Sequence, residues 1–495
     1  MSTPTPQQGN THDLVIRGGT VATATETLQA DVGITGGKVA ALGKDLSGKR
    51  VIDAAGKLVL PGGIDSHVHI EQLSSFGIPC ADDFYSGTVS AAFGGTTTIM
   101  PFCAQHREDA LDKVLASYSA SAKAKAVIDY GFHLIIANPN DKTLDTDLPA
   151  AIGQGIRSFK IFMTYDRMRL SDEQILDVMS VARRDGALLM VHAENHGIIS
   201  WLAGKMVKQG NVAPRYHAIC HTRSSEAEAI NRIITLAEVV DCPILIVHVS
   251  TVEGIETIRQ AQARGVKVFA ETCPQYLFLT AKDIDRPGVL GAAFCCSPPP
   301  RDEAAQEACW QGLKDGTLTV YSSDHAPYKM DASGKLPNGD KTTFKEMANG
   351  VPGIELRLPL LFTFGYKAGR ISINEFVALT SARHAQTYGL YPQKGTIAVG
   401  SDADIAIWDP EKKVTVSKDL VHDNTGYTPY EGRELTGWPV TVLSRGDVIV
   451  EGGKLAAERG RGRFLPRAAS EPLRPLGRQI PEMAQLSAWN TPLKP

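Results

Sequence analysis

Residues of metal-binding type recur along this chain beside apolar segments. His67 and His69 form an H-x-H motif that follows the apolar run Lys57 to Ile64. Side chains alternate between the two faces of a β-strand, so both imidazoles would point the same way. Neutral imidazoles are ligands that zinc and similar divalent ions favour. The motif predicts a metal site, although an H-x-H pair taken alone fits a surface turn equally well.

Four further residues of this type lie in or beside apolar segments that read as strands. They are Lys160 in 156–163, His192 in 187–192, His248 in 244–249 and Asp324 after 318–323. A single buried histidine is more often a hydrogen-bonded core residue than a ligand. The recurrence of such residues at the ends of several strands favours a shared metal site.

Lys160 is unusual because an ammonium group is costly inside an apolar strand and would repel nearby cations. Addition of CO2 to the ε-amine would give a carbamate, whose two oxygens can bridge two ions. The alternative is a lysine whose amine reaches the rim of the fold. We expect His67, His69 and Asp324 to hold one ion and His192 and His248 the other, with N6-carboxylated Lys160 between them.

Two ions about 3.5–4 Å apart can share a hydroxide and lower its pKa from 15.7 toward ~7. A hydroxide of this kind is a nucleophile at neutral pH. Asp324 beside it can take its proton and deliver that proton to a leaving nitrogen. The six residues therefore predict hydrolysis at an electrophilic carbon, with Asp324 and Lys160 as catalytic residues.

The elements that must position these residues read as an α/β fold. Eight apolar segments after Gly62 alternate with helical patterns, which predicts a parallel sheet. Their predicted bounds are 63–68, 97–101, 131–137, 156–163, 187–192, 244–249, 266–271 and 318–323. Eight such units fit a (β/α)8 TIM-like barrel, in which the carboxyl ends of the strands meet at one mouth. An open doubly wound sheet is the alternative, but Gly94-Gly95 precedes a strand and is not a phosphate loop.

Both ends of the chain read as short strands with Gly-rich turns, and we expect them to form one small β-sandwich beside the barrel. The predicted domains are 1–61 and 386–458 for the two parts of the sandwich and 62–385 for the hydrolase barrel. Residues 459–495 are rich in Arg and Pro and predict an extended arm, loose or packed on a neighbouring subunit.

Composition excludes several classes of function. The 495 residues are 43% hydrophobic with a formal net charge of −3, so no strong positive field exists for nucleic acid or anionic membrane. No apolar run approaches the ~18 residues of a membrane span. The 8 Cys residues contain no C-x-x-C pair, and we expect a cytoplasmic protein with free thiols.

Seven sequence motifs give a more specific result. They are 61–69 (PGGIDSHVH), 82–88 (DDFYSGT), 91–97 (AAFGGTT), 159–163 (FKIFM), 271–277 (ETCPQYL), 296–299 (CSPP) and 323–327 (SDHAP). Together they resemble the dihydropyrimidinase/D-hydantoinase family of the amidohydrolase superfamily, over roughly residues 12 to 465. This resemblance implies a barrel with a β-sandwich, two zinc ions per subunit, a carboxylated lysine and a homotetramer.

The resemblance also implies an activity and further site residues. The reaction would open 5,6-dihydrouracil, dihydrothymine or 5-substituted hydantoins to N-carbamoyl amino acids. Tyr165 matches the tyrosine that stabilises the oxyanion. Ser297 and Asn349 match residues whose backbone groups hold the imide edge of the ring, although from sequence alone both read as turn residues. An apolar pocket for the ring substituent would be formed by Leu73, Phe76, Phe162 and Tyr165.

Two alternatives remain open at this point. Glu71 stands where dihydroorotases have a carboxylate-binding arginine, which argues against a charged ring and, less strongly, against allantoin. An allantoinase or another cyclic imidase would use the same machinery. A non-catalytic scaffold relative is disfavoured, because every expected metal ligand is present.

Overall fold

The computed structural model describes residues 11–74 and 77–478. Two nine-stranded sheets organise this part of the chain. Within it, no helix is both long and apolar enough to cross a bilayer.

The larger part of the chain is a ring of parallel strands. Its members are Gly63–Val68, Thr96–Ala104, Asp129–Tyr130, His133–Ile135, Ser158–Phe162, Leu188–His192, Ile244–Ile246, Val268–Thr272 and Val320–Tyr321. Val68 forms a parallel bridge with His325, which brings the first strand beside the segment after the last strand. The predicted (β/α)8 barrel is therefore confirmed as a nearly closed ring.

Helices connect and cover these strands. The α-helices are Phe84–Phe93, Leu111–Lys125, Leu148–Gly153, Asp172–Asp185, His196–Lys208, Arg215–Cys220, Arg223–Val240, Val252–Ala263, Pro274–Phe278, Ala281–Ile284, Glu303–Asp315, Arg357–Leu361, Ile373–Val377 and Arg383–Thr387. Short π or 3-10 segments are Thr143–Asp147, Leu290–Phe294, Gly339–Lys341, Phe362–Lys367, Ala378–Ala382 and Glu471–Leu473. The helices Asp172–Asp185 and Val252–Ala263 are capped by the side chains of Ser171 and Thr251.

The second sheet combines both ends of the chain. Its strands are His12–Ala22, Thr27–Thr35, Lys38–Gly43, Gly48–Asp53, Leu58–Pro61, Ile405–Thr415, Glu434–Ser444, Asp447–Glu451 and Lys454–Leu455. Leu58–Pro61 pairs with Ile405–Thr415, so the two ends meet in one ladder. Apolar side chains from both ends share one cluster, which includes Ile16, Ile405 and Leu443. The second unit predicted from both ends is confirmed, while the domain boundaries remain predictions.

One predicted strand and the arm differ from expectation. The strand expected at 131–137 is present as two short strands, Asp129–Tyr130 and His133–Ile135. The arm contacts the first of these strands, because Tyr130 pairs with Phe464 through a parallel bridge. Arg467 is buried and donates hydrogen bonds to the Ser158 hydroxyl and the Phe132 carbonyl. Residues 459–478 thus lie on the chain's own barrel, and the rest of the predicted arm lies outside the described residues.

Candidate active site and metal centre

The metal-type side chains lie at the carboxyl ends of the barrel strands. His67, Lys160 and His192 belong to the strands Gly63–Val68, Ser158–Phe162 and Leu188–His192, while His248 and Asp324 follow Ile244–Ile246 and Val320–Tyr321. Parallel strands in a closed ring direct these ends to one mouth. The fold thereby brings together side chains that are far apart in the sequence. His67 and Asp324, for example, are 257 positions apart.

His67, His69 and Asp324 form a compact cluster. Nε2 of His67 lies 3.1 Å from Oδ1 of Asp324, and Nε2 of His69 lies 3.3 Å from the same oxygen. One possible ligand atom from each residue lies within 4.8 Å of the other two. Burial alone would raise the pKa of Asp324, but the neighbouring histidines hold it well below its usual value. Two imidazoles facing one carboxylate have the chemistry of a divalent-metal site.

Lys160 extends into the same cluster. Its Nζ lies 3.4 Å from Nε2 of His67, and it packs over the rings of Phe102 and Phe162. The side chain is buried, and burial lowers the pKa of Lys160 to about 8. The lowered pKa increases the fraction of neutral amine, which is the form that adds CO2.

His192 and His248 form a second pair beside the first cluster. Their ring centroids are 4.5 Å apart, and the ring of His248 lies 5.4 Å from that of His67. Nδ1 of His248 is buried and has no hydrogen-bond partner among the described residues. A buried imidazole nitrogen without a partner is costly unless something else binds there. The pair therefore fits a second metal ion.

Acidic partners fix which nitrogen two of the histidines, His67 and His192, present to the cluster. Oε1 of Glu271 lies 2.5 Å from Nδ1 of His67, and Oε2 of Glu194 lies 2.7 Å from Nε2 of His192. An ionised carboxylate only accepts hydrogen bonds, so each of these ring nitrogens carries the proton. Nε2 of His67 and Nδ1 of His192 are left with free lone pairs for a metal.

Three of the site residues have strained backbones. Tyr165, His248 and Asp324 have φ values of 69°, 42° and 48°, in the left-handed region that favours glycine. Such conformations persist where the surrounding structure enforces them, and they cluster at functional sites. These backbone conformations accompany three side chains that line the same cavity.

The cavity at this mouth also contains the residues expected to contact substrate. Tyr165, Ser297 and Asn349 line it together with Lys160, His192, His248 and Asp324. Burial raises the pKa of Tyr165, so the phenol keeps its proton at neutral pH and can donate it in a hydrogen bond. Ser297 and Asn349 act in the opposite direction on the pKa of Tyr165 and offset only part of this rise.

The apolar side of the cavity contains Leu73, Phe162 and Met168. Phe76, predicted for the same pocket, lies outside the described residues. Glu71 does not line the cavity, because its carboxylate accepts hydrogen bonds from Lys125 and Ser121 instead. Position 71 therefore offers the cavity no cationic side chain that could bind a substrate carboxylate.

Comparison with known proteins agrees with this geometry. The family model described as "Amidohydrolase family" matches residues 58–449. The chain belongs to this family. It is 42% identical to a D-hydantoinase of Ralstonia pickettii and to one of Geobacillus stearothermophilus. Each alignment covers 92% of this chain, and 99% and 96% of the relatives respectively.

A solved structure shares the fold at the same level of similarity. A dihydropyrimidinase from Brevibacillus agri superposes with a TM-score of 0.89 at 41% identity, over 92% of this chain and 99% of that one. The resemblance to the dihydropyrimidinase/D-hydantoinase group is therefore confirmed. The family and the His67, His69 and Asp324 cluster are together compatible with a binuclear metal site.

Sequence reasoning missed the polar residues that orient the histidines. Glu271 and Glu194 follow apolar strand residues just as Lys160 does, and the same criterion would have singled them out. Oε1 of Gln72 lies 2.8 Å from Nδ1 of His69. Gln72 lies in a loop, so no strand pattern in the sequence could have identified it. Tyr328 and His106 also line the cavity without having been predicted.

Proposed function

We propose that this protein hydrolyses a ring amide of cyclic ureides, namely 5,6-dihydropyrimidine-2,4-diones and 5-substituted hydantoins, and releases N-carbamoyl amino acids. One observation carries the proposal. Six metal-type side chains converge with Tyr165, Ser297 and Asn349 on one cavity, in a chain 42% identical to D-hydantoinases over nearly their full length.

The residues present fit a pair of divalent ions, and we propose zinc. His67, His69 and Asp324 would hold one ion and His192 and His248 the other. Lys160, once carboxylated, would contribute an oxygen to each ion. The buried, unpartnered Nδ1 of His248 and the lowered pKa of Lys160 support this assignment. When bound, such a pair supplies Lewis acidity and a water activated for attack at neutral pH.

The chain's own groups would bind and orient the ring. Backbone groups of Ser297 and Asn349 would pair with the alternating N–H and C=O groups of the imide edge. The Tyr165 hydroxyl would donate to the carbonyl oxygen as negative charge develops on it. Leu73, Phe162 and Met168 would contact the ring substituent and exclude water from that side.

Asp324 would move the proton. Its carboxylate, held ionised by the adjacent histidines, would accept a proton from the attacking water and deliver it to the ring nitrogen as the C–N bond breaks. The Nε2 group of Gln275 lies 3.4 Å from Oδ2 of Asp324 and would orient that oxygen. The ring-opened product then carries a carboxylate at one end and a carbamoylated amine at the other.

Assembly as a homotetramer is proposed from the family resemblance. The cytoplasmic location and the predicted domain boundaries likewise stay predictions.

The test is a substrate panel with purified, metal-loaded protein. We expect dihydrouracil and 5-substituted hydantoins to be opened to N-carbamoyl products, and allantoin and dihydroorotate to react poorly. The Lys160→Ala variant is the matched negative control. Failure to open either dihydrouracil or any hydantoin with metal fully loaded would overturn the proposal, and preferred turnover of allantoin would assign the chain to the alternative imidase activity.

A further inference from the structure

Lys335 is a buried lysine that contacts none of the metal-type residues. It has no exposed surface, and its Nζ donates to the carbonyl oxygens of Cys295, at 2.8 Å, and Ala348, at 3.1 Å. Burial lowers the pKa of Lys335 to about 8, so most of it remains protonated at neutral pH. A buried cation is costly unless hydrogen bonds compensate it, and here two backbone carbonyl oxygens do so.

Both acceptors lie in or close to the segments that line the cavity, because Ala348 belongs to the lining and Cys295 lies just before Ser297. The carbonyl of Ala348 belongs to the same peptide unit as the N–H of Asn349, and the carbonyl of Cys295 lies two residues before Ser297. A peptide unit is planar, so fixing its C=O also fixes the direction of the next N–H. Hydrogen bonding of the carbonyl to a cation also makes that N–H a stronger donor.

The two segments are tied to each other at the same point. The N–H of Gly350 donates to the Cys295 carbonyl at 3.0 Å, so this oxygen accepts from both Gly350 and Lys335. The loop that carries Lys335 also packs tightly against its own backbone. A Cβ on Gly334 would lie 2.2 Å from the Lys329 carbonyl oxygen, so only glycine fits at this close approach.

We propose that Lys335 is a positioning residue, which clamps the backbones of 295–297 and 348–350 together in the orientation that receives the imide edge of the substrate. This inference rests on the proposed function for the identity of the ligand. It does not depend on that function for the clamp itself. Lys335 touches no reacting atom, so its loss should weaken ring binding far more than it slows the chemical step.

The test compares wild type with Lys335→Met, Lys335→Gln and Lys341→Met. Lys341 lies exposed on the same loop and is the matched control. For Lys335→Met we expect KM for dihydrouracil or hydantoin to rise about ten-fold, with kcat changed less than about three-fold, because charge-assisted hydrogen bonds to the binding segments are lost. Lys335→Gln, which keeps an N–H donor, should recover part of the affinity, and Lys341→Met should match wild type.

Backbone hydrogen–deuterium exchange supplies a readout independent of turnover. Exchange should accelerate in 294–299 and 347–352 in folded Lys335→Met and stay unchanged in Lys341→Met. Unchanged exchange with KM within about two-fold of wild type would overturn the clamp. If wild type opens no cyclic ureide, the proposed function fails while exchange alone still decides the clamp. Failure of both Lys335 variants to fold would also overturn it, since the lysine would then act in general stability.

Discussion

Oε1 of Glu271 lies 2.5 Å from Nδ1 of His67, and neither side chain has any exposed surface. The carboxylate holds the proton of the imidazole on Nδ1 and directs Nε2 toward Asp324 and Lys160. Ser322 also donates to Glu271, at 2.6 Å, and fixes the carboxylate itself. The tautomer of the first histidine is thus set by a residue of another strand of the ring, Val268–Thr272.

Glu271→Gln tests this relationship. The amide can still fill the space but can present an N–H group to His67, which allows the wrong tautomer. We expect metal affinity to fall about 10–100-fold, measured by competition with a chelator and by metal content. Glu303→Gln, on an exposed helix position, is the control. Metal affinity equal to that of wild type in a folded Glu271→Gln protein would show that the carboxylate does not set the tautomer.

Lys160→Ala tests the proposed bridge. The variant should fold, because removing a buried amine leaves an apolar lining of Phe102 and Phe162. It should bind fewer than two metal ions and lose most activity, and short carboxylic acids should restore part of it by replacing the carbamate. Metal content per subunit and turnover with and without added acid are the measurements. Normal turnover without added acid would rule the bridge out.

Tyr165→Phe tests the oxyanion donor. Loss of the hydroxyl removes one hydrogen bond that strengthens as charge develops, worth roughly 3–4 kcal/mol in comparable sites. We expect kcat to fall about 10²–10³-fold with a much smaller change in KM. Steady-state kinetics on dihydrouracil and on a hydantoin check this. A change confined to KM would instead assign Tyr165 to ground-state binding.

A pH-dependent stability is expected from His422 and Glu355, away from the cavity. Burial alone would lower the pKa of His422, but its hydrogen bond to Glu355 and the charge of that carboxylate raise it on balance. A raised folded pKa gives stability that is complete below the unfolded pKa of about 6.5 and is lost as pH rises through the folded value. Burial also raises the pKa of Glu355, and a raised carboxyl pKa likewise gives stability that is lost as the pH rises.

The melting temperature of wild type should therefore exceed that of His422→Gln most at about pH 6, and the difference should narrow toward about pH 8. Glutamine keeps a donor for Glu355 but cannot carry the charge. Thermal unfolding across this range is the measurement. A difference that stays constant or grows with pH would contradict the assigned sign.

The sequence predicted the barrel and the convergence of its metal-type residues because periodicity and strand ends are local signals. Lys160 interrupts an apolar strand and His192 ends one. The carboxyl ends of parallel strands in a closed ring all lie at the same face of the barrel. The second unit followed from the short strands at both ends of the chain in the same way.

Contacts made between distant segments could not be predicted in this manner. The bridge between Tyr130 and Phe464, which holds the arm against the barrel, joins residues more than 300 positions apart in sequence. Lys335 lies in an irregular loop without periodicity, and only the folded backbone shows that its amine meets two carbonyls beside the cavity. Such residues are defined by the tertiary structure rather than by any pattern in their neighbourhood.

Anomalous X-ray diffraction at the zinc edge, from crystals of zinc-loaded protein, is the decisive measurement for the proposed pair of metal ions. We expect two peaks at the barrel mouth, one beside His67, His69 and Asp324 and one beside His192 and His248, with density for a carboxylated Lys160 between them. A single peak or none, with the Lys160 amine unmodified, would contradict it.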